Sequence, residues 1–454
     1  MRYNSYRQTE IPWVDAIPSH WDQIRNGGLF DYHQDKVGDR YSEYQLLSLT
    51  TQGIRCKDIH DASGKVPASY DNYQEVNTGD MVFCLFDLDC SAVFSGLSKY
   101  HGMITSAYDV MKPKDSIVNE RFLDYWYQSV FAGRYYKIFA KSVRYTINYD
   151  IFKAIKTPVP PREEQDQIVR YLDWQTSKIN KLIRGYQWQI KLLEERRKTL
   201  IDKAVTKGVR ANRSMQSIPA NWMGDIPADW KMIPAKRLFI ESKERKRAED
   251  KPATASQKYG IIAQEDYMRI EGKRIVIATQ GLDDWKHVEP NDFVISLRSF
   301  QGGIERSDIS GCVTWHYIVL KPQKGIVPQY FRWLLKSMSY IKALQGTSEF
   351  IRDGQDLRYS NFVKVDLPLI PVSEQEEIAE YIEVETKKID GAIPSIQKEI
   401  NLLREYRTRL ISDVVTGQMD VREIEIPDYT PEDDIEDSEA ENETVDEEVD
   451  ADAE

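Results

Sequence analysis

Bond-making chemistry needs particular side chains at particular spacings, and this chain carries the side chains without the spacings. Its six histidines include no HExxH and no pair at metal-ligand spacing. Cys56, Cys84, Cys90 and Cys312 form no CxxC, which argues against a zinc site or a disulfide framework and suits free thiols in a reducing compartment. No GxxxxGK[ST] loop is present, so a nucleotide motor is not expected. Gly27-Gly28 and Gly302-Gly303 are lone doublets of the kind turns use. An adenine methylase would need a Gly-rich cofactor loop and an Asn/Asp-Pro-Pro-aromatic run. The only Pro-Pro, Pro160-Pro161, lies between Val159 and Arg162. The abundant Asp and Glu leave a scattered, nuclease-like carboxylate set open. The more suggestive groups bind rather than react: Arg298, Ser299 and Gln301 beside Gly302-Gly303, Arg144-Tyr145 and Arg358-Tyr359 at matching places, and Lys36, Arg40 and Tyr41 around Gly38.

The elements that must position these groups occur twice. Residues 158–206 align on 368–416 without a gap, and 20 of the 49 pairs are identical. Ile17-Pro18-Ser19-His20-Trp21 returns as Ile226-Pro227-Ala228-Asp229-Trp230. A period near 210 residues is too long for a solenoid and reads as a duplicated domain-plus-helix module, with two similar sites about a pseudo-twofold axis. The expected class is α+β. The expected divisions are a first domain over 1–157, a helical region over 158–208, a linker over 209–225, a second domain over 226–367, a second helical region over 368–420, and an acidic tail over 421–454.

Within each domain, β-rich runs such as 80–86 and 292–297 follow turn residues, and aromatic-rich helical stretches fall near 121–140 and 328–344. Each domain ends in prolines, Pro158-Val159-Pro160-Pro161 and Pro368-Leu369-Ile370-Pro371, followed by carboxylates that suit a helix start. Ser373 with Glu376 resembles a capping box. Ile179, Ile183, Tyr186, Ile190, Leu193, Arg197, Leu200 and Ala204 then step 4-3-4-3, as do Ile389, Ile393, Ile396, Ile400, Leu403, Arg407, Leu410 and Val414. That period is a coiled-coil seam, and the seams are natural antiparallel partners about 40 Å long at 1.5 Å per residue. Arg197 and Arg407 on the seam would cost stability but fix register. Pro394 is expected to kink its helix or start it anew. The basic stretch 207–214 need only return the chain to a second domain. Outside the seam, Trp174, Trp188, Leu192, Ile382 and Leu402 are more apolar surface than one helix pair can bury.

The formal charge of −12 conceals a mildly basic body. Residues 428–454 hold 15 Asp or Glu and no Lys or Arg, and removing those charges turns −12 into +3. Such a tail cannot bury enough surface to fold; it solvates the chain or competes with nucleic acid for basic surface. No run of 18 apolar residues exists, so no membrane span is expected.

Two α+β domains, each followed by a long helix, with Pro160 to Ile168 and Pro371 to Ile378 at the junctions, resemble the specificity subunit of type I restriction–modification systems. Arg197 to Gly208, the domain openings at Ile17–Trp21 and Ile226–Trp230, Ser296 to Gly303 with Gly311 to Pro322, and Gly102 to Tyr108 carry the same likeness. The resemblance covers about residues 10–420 and omits the tail. It implies two target recognition domains that each read half of a bipartite DNA sequence. It also implies helices that space the halves and dock two methyltransferase subunits. Those subunits would use S-adenosylmethionine to methylate adenine, and restriction subunits would use ATP and Mg to translocate and cut. The chain itself would be non-catalytic, bind no cofactor, and work in a prokaryotic cytoplasm. A methylation-only or related phage-defence complex, a fused enzyme, and a coiled-coil scaffold remain alternatives.

On that reading, Arg toward guanine and Gln toward adenine are the base contacts to seek. Arg298, Ser299 and Gln301, with Arg358 and Tyr359, are the candidates in the second domain; Arg144 and Tyr145 are those in the first. Lys36, Arg40 and Tyr41 better suit phosphate, which positions without specifying.

Overall fold

The computed structural model describes residues 2–431 except 52, 60–68, 89–90, 141–144, 219–221, 273–281, 297–298 and 348–356. The described residues form two compact units, one of 2–188 with 396–431 and one of 189–395. The division crosses two long helices, Arg162–Lys207 and Val372–Val415, so each helix contributes to both units.

In the first unit, a turn puts strand Met81–Phe83 at the heart of a sheet. Gly79 takes φ 91°, and the Asp80 carboxylate accepts the Asn77 N–H at 2.7 Å. All three strand residues are then fully buried. The four-stranded antiparallel sheet runs Phe30–His33, Asp109–Pro113, Met81–Phe83, Ser95–Leu97. Helix Glu120–Ala132 starts where the Asn119 side chain accepts the N–H groups of Arg121 and Phe122. Its Tyr127 packs edge-on against Phe83, centroids 4.9 Å apart. The helical stretch expected to reach residue 140 breaks after Ala132 into a 3-10 turn, Tyr135–Phe139.

The second unit repeats this plan with other residues. Asn291 adopts φ 75°, Asp292 accepts the Glu289 N–H at 2.9 Å, and strand Phe293–Ile295 follows. The sheet order is Phe239–Ser242, Ile318–Pro322, Phe293–Ile295, Glu305–Arg306, again antiparallel. Here the expected helix over 328–344 is two, Pro328–Leu334 and Met338–Gln345. The Ser337 side chain caps the second by accepting the Tyr340 N–H.

Every seam position of the long helices is buried or half-buried, while most residues between them are exposed. In the first unit, Arg407 Nη1 donates to Asn180 Oδ1 at 2.8 Å, and Tyr171 meets Met419. Numbers fall on one partner as they rise on the other, so these segments run antiparallel. In the second unit, Arg197 Nε donates to Asp390 Oδ1 at 2.8 Å, and a Cβ at Gly208 would lie 3.2 Å from Glu374, the same antiparallel sense. Two expectations change. No new helix starts at Pro394: the helix continues through it, although that residue cannot donate to the Asp390 carbonyl. Ser373 lies inside the first turn of a helix that begins at Val372, so it does not cap it. Ile382, expected on the surface, is fully buried in the second unit's core, whereas Trp188, Leu192 and Leu402 are exposed.

Candidate nucleic-acid interface and the joints that carry it

Each domain is fastened to a helix start by the Glu-Gln pair that recurs in the sequence. Gln165 Nε2 donates to the carbonyls of Pro160 (2.8 Å) and Ile117 (3.1 Å), and its Oε1 accepts the Asn119 N–H at 2.7 Å. Gln375 repeats the set with Ile370 (2.8 Å), Gly325 (3.0 Å) and the Val327 N–H (2.8 Å). Both side chains are buried. A glutamine is required because the joint needs two donors and an acceptor in one short planar group.

The neighbouring glutamates do the same task with different partners. Glu164 accepts from Tyr3 Oη (2.6 Å) and Trp21 Nε1 (3.0 Å), and contacts His20 Nε2 at 2.7 Å. Burial, then the bond to Glu164, pushes the Tyr3 phenol well above its ordinary range. Glu374, fully buried, is instead neutralised by Arg213, with Arg210 at 4.0 Å. The bond to Glu374 raises the Arg213 guanidinium further. The basic linker thus does more than return the chain: Arg210 and Arg213 lock it onto the second helix through Glu377 and Glu374.

Of the nominated residues, Lys36, Arg40 and Tyr41 come together around the 3-10 turn Gly38–Glu43. Lys36 is exposed and donates to Asn72 at 3.2 Å; Arg40 is exposed 6.0 Å from the Tyr44 ring; Tyr41 packs 5.9 Å from Tyr70. Tyr145 belongs to another cluster, with φ 49° and Lys137 at 5.2 Å from its ring. Gln301 is exposed on the short helix Ser299–Gly302, and Arg358 is exposed ahead of helix Tyr359–Phe362. Arg144 and Arg298 lie outside the described residues. One nomination is corrected: Ser299 is 1% exposed and its hydroxyl accepts the Ser296 N–H at 2.8 Å, so it shapes the turn. Tyr359 is half-buried, stacks on Phe362 and donates to the Phe239 carbonyl at 3.3 Å, which ties it to the core.

A further segment joins these residues that no sequence motif marks. In the first unit Lys36 bridges Gln74, the Asp35 carbonyl accepts from Glu75, and Val37 donates to Tyr73. In the second unit Arg245 bridges Lys286, the Glu244 carbonyl accepts from His287, and Lys246 donates to Trp285. Arg245 is therefore the backbone counterpart of Lys36. It lies in Lys243–Lys251, whose cations Lys243, Arg245, Lys246, Arg247 and Lys251 were the available signal. The Asp250 carboxylate anchors this segment by accepting the Arg247 N–H (2.7 Å) and meeting fully buried His287 Nδ1 (2.8 Å). Glu289, bonded by His287, then Lys321 and Arg247, is held down at about 2. Arg245 and Lys246 pair at the surface with Asp284 and Asp283, at 3.3 and 3.6 Å, and such exposed pairs open readily. Among the described residues, no cluster of His, Cys, Asp and Glu is placed to hold a metal, and no helix is long and apolar enough to cross a membrane.

Known proteins carry the same plan. Residues 98–192 match the type I restriction modification DNA specificity domain. A putative type I restriction enzyme MjaX specificity subunit of Methanocaldococcus jannaschii is 23% identical over 92% of this chain and 97% of its own length. The MjaVIII specificity subunit of the same organism is 21% identical over 90% and 95%. A chain in a solved structure concerned with assembly and conformational transition of the type I restriction–modification system shares the fold, with TM-score 0.62 and 14% identity over 89% of this chain and 99% of that one. The resemblance to type I specificity subunits thus holds along nearly the whole chain.

Proposed function

We propose that this chain is the DNA-reading subunit of a type I restriction–modification complex, with one recognition domain for each half of a bipartite target. The observation that carries this is the equivalence of Lys36 and Arg245. The two units share one sheet order, and each presents a cation at the same backbone position. Around that shared grip the side chains differ, which is what two different half-sites require. Phosphate contacts from Lys36, Arg40, Arg245 and Lys251 would set register, while Gln301 and Arg358 would read base edges as adenine- and guanine-type contacts.

The long helices would pair as an antiparallel coiled coil about a pseudo-twofold axis and act as spacer. A seam of about 40 Å suits half-sites one turn of B-DNA apart, about 34–36 Å. Two methyltransferase subunits would dock on the helices and bring S-adenosylmethionine; restriction subunits would bring ATP and Mg. This chain would hold neither cofactor and would work in the cytoplasm. The experiment is to express it with its methyltransferase partner in a host lacking adenine methylation and sequence the modified bases. A split motif with one modified adenine on each strand is expected. A continuous motif, or no modification by an assembled complex, refutes the reading.

A further inference from the structure

The internal repeat gives each unit a matching tyrosine on its helices, and the chain's own return covers only one of the two. In the first unit the chain turns at Gly417 and lies back across the helices. Tyr171 Oη meets Met419 Sδ at 4.0 Å, and Gln167 Nε2 donates to the carbonyls of Val421 (3.1 Å) and Ile424 (2.8 Å). Val421 is fully buried, and Tyr171 is only 4% exposed. At the repeat spacing, Tyr171 corresponds to Tyr381, Gln167 to Glu377, and Leu410 to Leu200. In the second unit the chain turns at Gly208, and Arg210 takes Glu377 as the linker departs for the domain. Tyr381 is left 43% exposed over a groove of about 560 Å³ lined by Leu192, Leu200 and Val209. Arg196 and Lys203 also line it, opposed only by Glu195.

We infer that this open groove is the docking site for an extended segment of a partner protein, anchored by a methionine or branched aliphatic residue with a carboxylate beside it. The chain's own Met419 and Val421 show which anchors fit, because they lie against the matching Tyr171 and Gln167; Asp420 pairs with Arg422 of the same segment. The excess of cations over anions in the lining favours the carboxylate. The volume is that of a pocket that encloses a few anchoring side chains. This rests on the reading above, under which the partner is the methyltransferase subunit. One methyltransferase would then insert a segment into the second unit, while the other would meet a first unit whose matching tyrosine is already covered by this chain. The two docking ends are not equivalent.

The test places a photo-crosslinking amino acid at Leu192 in the full chain, co-expressed with the methyltransferase subunit. A crosslink to a segment of that subunit with the stated chemistry is expected, and a synthetic peptide spanning Gly417–Ile424 should suppress it. A crosslink to a second copy, or to this chain's own residues 425–454, overturns the inference, as does no crosslink in an assembled complex. Tyr381→Ala should weaken association about 30-fold or more, as loss of a central aromatic anchor does. Leu402→Ala, at the first-unit position matching Leu192, should change it by less than about threefold; equal losses overturn the inference. If Tyr381→Ala lowers the melting temperature, Tyr381→Glu and the crosslink decide instead. The modified-base map from the same strain separates the two ideas. A split motif without the crosslink sinks the groove alone, and an assembled complex without a split motif sinks the DNA-reading assignment.

Discussion

Replacing Gln165 with alanine should unfasten the first domain from its helix. The side chain is fully buried and makes three bonds, to Pro160, Ile117 and Asn119. A typical bond contributes about 0.5–1.5 kcal/mol net, and a buried group left without a partner costs about 1–3 kcal/mol. The Ile117 carbonyl and Asn119 N–H are part-buried and recover some water; the Pro160 carbonyl is buried and does not. The sum is about 3 kcal/mol, or roughly 6–12 °C of melting temperature for a unit of this size. Gln165→Glu should be at least as damaging, since it turns two donors into a carboxylate facing carbonyls. Because Gln375 makes the same three kinds of bond, Gln375→Ala should produce a similar loss in the second unit. The assay is calorimetry and urea melting of the assembled complex, with tryptophan emission following the units. A loss below about 1 kcal/mol for both alanine variants would show that the recurring Glu-Gln pair is not the mechanical joint.

Lys36→Ala and Arg245→Ala should weaken binding to every DNA sequence alike and flatten the dependence on log salt by about 0.9 for each phosphate no longer gripped; a change confined to one half-site would remove them from the backbone grip. Gln301→Ala should relax one half-site only, by about 1–3 kcal/mol in competition binding, and equal relaxation of both halves would break the link between domain and half-site. Glu289 titrates at about 2 in the fold against an ordinary 4.5. A lowered folded value adds stability that is complete above 4.5 and lost as pH falls toward 2. The stability gap between wild type and Glu289→Gln should therefore close across that window, and a pH-independent gap would refute the assignment. Matched heptad insertions in both long helices should lengthen the recognised spacer by about 3 bp, since seven residues rise about 10 Å; an unchanged spacer would end the ruler idea.

The helices were legible because their signals are local and repeated: prolines stop the domain, carboxylates follow, and a 3.5-residue period persists for about seven turns. The sheets were legible only as apolar runs. Their strands are short, too short for an alternation to show, and their order depends on pairings such as Val82 with Val110 and Gly96. Turn chemistry helped at Gly79-Asp80 and Asn291-Asp292, where a positive φ and a carboxylate acceptor precede the central strand. The interface was harder. Ser299 is a residue type that serves recognition and structure equally well, and only its burial separates the roles. Arg245 was missed because its equivalence to Lys36 is a matter of backbone bridges, and the residues around the two share no motif.

The different companions of Glu164 and Glu374 bear on how such a chain could acquire new targets. Gene segments that exchange a recognition domain must be cut somewhere, and the matching motifs invite cuts at Pro160 and Pro371 or at the openings before Trp21 and Trp230. The first glutamate is met by Tyr3, upstream of the domain opening, and by His20 and Trp21 within it, so an imported first domain must bring an imidazole and an indole. The second finds its counter-ion in Arg213, upstream of the domain proper, so an imported second domain can arrive without any cation of its own. A cut placed after Arg213 preserves the ion pair; a cut before it strands a buried carboxylate, a defect worth about 3–5 kcal/mol. A second domain can therefore be exchanged with fewer of its own residues matched to the joint than a first one, and the difference lies in one guanidinium.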